Sequence, residues 1–200
     1  MNKSEYSSIL KKVPFRYIES LRIAKMMAEG FSFEKIQQSY LDFNEGKVVS
    51  EVRKKEVVNT LFVRLSNLDR VLLDQFIHAD IATSKFILVY AIAKGDKLFS
   101  EFLLLCYRSA LIGEKKYISL ADFDDFFASE KEKNVSIAKW GRGTIEDLST
   151  SYRNILVESG LAQRKVKNIY PIPCIVSPSV LDHIKEIGDE AYLQALTGAK

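Results

Sequence analysis

The stretch from Tyr117 to Cys174 reads YISLADFDDFFASEKEKNVSIAKWGRGTIEDLSTSYRNILVESGLAQRKVKNIYPIPC. Ser119-Leu-Ala-Asp122 has the layout of a capping box, a hydroxyl followed three residues on by an acid. Phe123, Phe126 and Phe127 give the helix behind it an apolar face, and the helix is expected to run through Phe126. Ser129 to Asn134 is charged and reads as a loop. Val135 to Trp140 has room for one or two turns that bury Ile137 and Trp140. Trp140-Gly-Arg-Gly143 makes a tight connection. From Thr144 to Ser159, Ile145, Leu148, Tyr152 and Ile155-Leu156 recur at helical spacing, and Gly160 closes the helix. Leu161 to Cys174 then reads as two strands joined at Val166-Lys167-Asn168, where Asn168 accepts the positive φ of a tight hairpin. Pro171 and Pro173 lack an N–H, so their strand must lie at an edge or be irregular. With Tyr117-Ile118 as a short first strand, the order is that of a winged helix-turn-helix.

Such a module usually lays its long helix in the major groove of DNA, although winged helices also dock proteins. The face of the long helix opposite the apolar stripe carries Ser149, Thr150, Arg153 and Asn154, side chains able to bond phosphates or base edges. Gly143 and Thr144 stand at its start, where free backbone N–H groups favour an anion. Lys139 and Arg142 lie just before it, and Arg164, Lys165, Lys167 and Asn168 belong to the hairpin. Between Val135 and Lys167 there are six cations (Lys139, Arg142, Arg153, Arg164, Lys165, Lys167) against Glu146, Asp147 and Glu158. After Val176 the balance reverses, with Asp182, Glu186, Asp189 and Glu190 against Lys185 and Lys200. Positive charge therefore concentrates on the helix and hairpin.

The first half reads as helices only. A helix starts near Pro14 with a stripe of Ile18, Leu21, Ala24 and Met27-Ala28, and Gly30 stops it. Ser32 caps a second helix holding Phe33, Ile36, Tyr40 and Leu41. The pair is either a loose helix-turn-helix or an ordinary helical hairpin. Phe43-Asn-Glu-Gly46 is a turn. A long helix is expected from about Val48 to Leu65, and its Arg53, Lys54 and Lys55 are either solvated surface or a secondary nucleic-acid contact. Ser66-Asn67 breaks it, a helix through Leu72 and Phe76 follows, and Asp80 caps the next. Phe86 to Ala93 is unbroken apolar sequence and Leu98 to Ile112 is rich in Leu and Phe, so these two helices should be the most buried. Gly113-Glu-Lys-Lys116 is polar and separates a 1–115 helical bundle from a 116–200 winged-helix-like unit.

The bulk composition, 47% hydrophobic and 28% charged over 200 residues, supports a sizeable core without staples. Net charge is +3, mildly basic. Cys106 and Cys174 form no CxxC pair, which fits a reducing cytoplasm rather than a disulfide framework. Met1-Asn-Lys-Ser-Glu carries no apolar signal core. Lys94-Gly-Asp-Lys97 divides the apolar runs, and neither reaches the roughly 18–20 residues of a membrane span.

Sites for chemistry are not legible. His78 and His183 are far apart and lack metal-ligand spacing. The chain has no phosphate-binding GxxxxGK[ST], no Rossmann glycine pattern, and no GxSxG or HExxH. Asp122, Asp124 and Asp125 sit on one helix and read as compensation of its dipole. We expect no catalysis, no cofactor and no metal.

Over nearly its whole length the chain resembles the BrxA family of bacteriophage-exclusion (BREX) defence clusters. The resemblance rests on Phe15-Arg-Tyr-Ile-Glu-Ser-Leu-Arg22, the Gly30-Phe31-Ser32 turn, the apolar central helices, and Ser151-Tyr-Arg-Asn-Ile-Leu-Val-Glu-Ser-Gly160 before a Lys/Arg hairpin. It implies a cytoplasmic, mainly helical protein that binds double-stranded DNA, with an amino-terminal part similar to the NusB antitermination factor. It also implies the company of an ATPase, an adenine methyltransferase and a phosphatase-like protein. Two other readings stay open: an adaptor that docks defence proteins, and RNA binding through the NusB-like half.

Overall fold

The computed structural model describes residues 6–42, 50–113 and 115–199. The turn expected at Phe43 to Gly46 and the Met1 to Glu5 stretch lie outside them. A 3-10 turn, Ile9–Lys11, comes first. The helices of the first half are α1 (Tyr17–Ala28), α2 (Phe33–Asp42), α3 (Glu51–Leu65), α4 (Arg70–His78), α5 (Ile81–Gly95) and α6 (Lys97–Phe102), then a π-helical turn, Leu103–Tyr107, and α7 (Arg108–Leu111). The second half has α8 (Leu120–Lys133), α9 (Val135–Ala138), α10 (Arg142–Glu158), β1 (Ala162–Lys165), β2 (Asn168–Pro171), α11 (Pro178–Glu186) and α12 (Glu190–Thr197). The fold is mainly helical with one small hairpin.

Side-chain caps set the starts of α3, α4, α5, α6 and α8. Ser50 accepts the N–H of Arg53, so α3 begins at Glu51 rather than Val48. Asp69 caps α4, Asp80 caps α5 and Asp96 caps α6. At α8, Ser119 and Asp122 form the full capping box. That helix does not stop at Phe126. The charged run to Lys133 is helical because Glu130, almost fully buried, accepts from Lys133 Nζ at 2.9 Å and from Asn134 Nδ2 at 3.0 Å.

Two apolar stripes differ from expectation. In α1, Ile18 is 70% exposed and the buried side is Ser20, Ile23 and Ala24. In the helix expected from Leu98 to Ile112, the π-helical turn buries Leu103 and Tyr107 but leaves Leu104 and Leu105 about half exposed. The added residue of a π turn rotates every later side chain on the helix surface. By contrast, every residue from Phe86 to Ala93 on α5 is buried, as its unbroken apolar character requires.

The buried cluster is continuous from Leu10 to Leu196. Part of it is an aromatic cluster that draws on both sides of Gly113. The Phe102 ring lies 4.8 Å from Phe123, 5.4 Å from Phe126 and 5.2 Å from Tyr152, and Phe99 lies 4.9 Å from Tyr152. Tyr107 donates its hydroxyl to the Leu161 carbonyl at 2.9 Å. At the carboxyl end, Asp189 accepts from Tyr90 at 2.5 Å and from Lys94 at 2.7 Å, returning the α11–α12 turn to α5. Arg64 is buried and donates to the carbonyls of Val13, Pro14 and Phe15, fixing the segment before α1. Among the described residues, no helix is long and apolar enough to cross a membrane.

Candidate nucleic-acid interface

The hairpin is built on α10. β1 and β2 run antiparallel, with Ala162 opposite Pro171, Gln163 opposite Tyr170, Arg164 opposite Ile169 and Lys165 opposite Asn168. Ile169 turns its N–H and C=O away from β1 and exchanges them with Ile118, at 3.0 and 2.8 Å. Ile118 therefore stands as a one-residue first strand. Pro171, two residues on, also has its nitrogen pointing away from β1, so the missing donor costs the hairpin nothing. The tip is Val166-Lys167. The positive φ falls on Val166, at 57°, not on Asn168, which pairs in register with Lys165.

Successive strand residues face opposite ways. Arg164 shares the face of Ile169, toward α10, and donates to Asn154 Oδ1 at 2.9 Å. Arg153 donates to the Lys167 carbonyl at 3.3 Å. These two bonds lock the hairpin to the carboxyl half of α10. They also gather Arg153, Asn154, Arg164 and Lys167 at one place. Partial burial, and then the nearby Arg164, lower the Arg153 pKa. Lys165 lies on the other face with its ammonium 5.0 Å from the Tyr170 ring, which in turn contacts Tyr117 at 5.6 Å.

The other expected contacts are dispersed. Ser149, expected on the outward face, is buried and donates to the Ile145 carbonyl at 2.9 Å. Thr144 is half buried, and its hydroxyl accepts from Lys11 Nζ at 3.1 Å. α10 begins two residues earlier than Thr144, at Arg142, with extended Gly141 as its N-cap. Arg142 is exposed but donates to Glu146 at 2.7 Å, and that hydrogen bond raises its pKa. Thr150 and Lys139 are exposed. So are Glu146 and Asp147, which put negative charge on the same side of α10. Trp140, expected buried, is partly buried and packs against the core.

The cations of α3 are engaged locally. Arg53 pairs with Glu56 at 2.6 Å and donates to the Lys12 carbonyl, Lys54 donates to the Leu41 carbonyl, and Lys55 pairs with Glu51. No signal in the sequence linked Lys11 to Thr144, because the two are 133 residues apart. The strained Val166 was equally hidden, since valine is a poor candidate for positive φ.

Among the described residues, no group of three or more His, Cys, Asp and Glu side chains is placed to hold a metal. A cleft of about 310 Å³ beside the π-helical turn is lined by Leu105, Cys106, Lys115, Tyr117 and Asp122, among others. Burial pushes the Cys106 thiol up to about 12, far from a reactive thiolate.

Comparison with known proteins covers the same span. The family model described as BrxA matches residues 4–188. A protein of Bacillus cereus (strain H3081.97) described as "BREX protein BrxA" is 29% identical over 193 residues, 96% of each chain. In overall fold the chain is similar to a crystal structure of an uncharacterized protein from Magnetospirillum magneticum. The TM-score is 0.80 and the identity 16%, over 97% of this chain and 99% of that one.

Proposed function

This chain belongs to the BrxA family, and on that premise we propose that it is a cytoplasmic, non-catalytic component of a BREX phage-defence system that binds double-stranded DNA. The observation that carries the reading is the joint between α10 and the hairpin, where Arg164 is held by Asn154 and Arg153 by the backbone carbonyl of Lys167, whose own side chain is exposed beside them. Cations fixed on a rigid frame suit phosphates at little entropic cost. Lys165 extends the positive charge to the other face of the hairpin. The exposed outward residues of α10 include few bidentate base readers, so sequence preference should be low.

A salt titration of duplex binding with the full chain tests this. Each phosphate contact adds roughly −0.9 to the log–log salt slope. Replacing Arg164, Lys165 and Lys167 together with alanine should flatten that slope by about two to three units. An unchanged slope would remove the hairpin from the site.

A second reading is favoured by Glu146 and Asp147, exposed on α10 where a phosphate backbone would be repelled. In it, this face docks another BREX protein, and the ATPase, adenine methyltransferase and phosphatase-like protein of such clusters are the candidates. Co-purification with a partner, together with no duplex binding at low salt, would select it.

A further inference from the structure

Val166 has no evident structural reason to be valine. Its side chain is 93% exposed, so the core gains nothing from it. Its φ is 57°, a region where a β-branched side chain clashes with its own backbone and where glycine or asparagine sits with less strain. The hairpin beneath it is held firmly to α10 through Arg153 and Arg164. Lys165 and Lys167 flank it in sequence, both exposed. A strained, solvent-facing apolar residue at a rigid tip between two cations is an outlier of the kind that points to a binding role.

Resting on the duplex-binding reading above, we propose that Val166 is an apolar wedge that enters the minor groove and loosens a base step, while Lys165 and Lys167 hold the phosphates on either side. Dimensions favour the side chain over the whole hairpin. Two strands stand about 4.7–4.9 Å apart before side chains are added, and the minor groove is about 6 Å wide. Only the tip enters an undistorted groove. Apolar side chains that enter in this way partly unstack a step and kink the duplex. Positive charge on both flanks matches the two phosphate ridges that border the groove.

A wedge of this kind favours DNA in which unstacking is already easy. The probe is a pair of short duplexes, one fully paired and one with a single central mismatch, titrated with the full-length chain. Wild type should bind the mismatched duplex about tenfold more tightly, because part of the few kcal/mol of unstacking is spared. Val166→Gly and Val166→Asn keep both lysines, so each should lose that preference yet retain the salt slope. Circular dichroism of each variant verifies its fold. Equal binding of both duplexes by wild type, or a preference that survives in both variants, overturns the wedge and leaves duplex binding intact. Binding of neither duplex at low salt overturns the duplex-binding reading, and the wedge with it.

Discussion

Burial holds the Asp96 carboxyl at about 6, well above its ordinary 3.8, and the neighbouring Arg64 only partly offsets that cost. Its Oδ1 accepts the Phe99 N–H at 2.9 Å, while Oδ2 is buried with no partner. Between pH 4 and 6 the folded chain thus keeps a proton that the unfolded chain releases. This contribution to stability is complete below about pH 4 and is lost as pH rises through 6. Two pKa units correspond to about 3 kcal/mol. Asp96→Asn keeps an acceptor for the cap and removes the titration. Urea unfolding at pH 4.5 and pH 7 should therefore show the variant gaining on wild type by about 2 kcal/mol toward neutral pH. Equal pH profiles for the two proteins would mean that Asp96 does not titrate in this range. Sequence gave Asp96 only as part of a polar break between apolar runs; its burial comes from packing that no local pattern reports.

At the scale of elements, the hairpin stores strain at one position. Positive φ at a β-branched residue costs on the order of 1–3 kcal/mol. Val166→Gly should therefore raise stability by about 1 kcal/mol after the added entropy of the unfolded chain is subtracted. Chemical denaturation measures this directly, and a loss of stability would show the turn to be relaxed with valine in place. The long helix and the hairpin were legible from Ile145 to Leu156 and from the paired runs around Lys167, since period and turn residues are local signals. The limits of α8 were not. The Glu130 to Lys133 run looks like a solvated loop until Glu130 is seen to turn inward onto Lys133 and Asn134. Ser149 was misread for a related reason. A small hydroxyl residue bordering an apolar stripe satisfies itself on the carbonyl four residues back and needs no solvent.

At the scale of the whole molecule, the segments before and after Gly113 share the aromatic cluster of Phe99, Phe102, Phe123, Phe126, Phe127 and Tyr152. We propose that they unfold as one cooperative body. Phe102→Ala should cost about 3–5 kcal/mol and shift a single calorimetric transition downward. Two resolved transitions, with only one displaced, would show two independently folding units. The helical character of both halves and the order of elements in the second were readable from sequence. Their union was not, because it depends on rings brought together from distant positions. The candidate interface followed the same rule: Arg164 and Lys167 were found as neighbours of a turn, but their anchors on Asn154 and Arg153 needed the fold.

Burial lifts both native thiols, Cys106 to about 12 and Cys174 in the same direction, which disfavours the thiolate at each. Fewer than roughly one in ten thousand Cys106 side chains is ionised at neutral pH. A fluorophore or spin label carried by maleimide should consequently react faster with an engineered cysteine on the outer surface than with Cys106. Distance measurements on the working protein then start from a labelling control on the unsubstituted chain, which counts what the two native sulfurs take up.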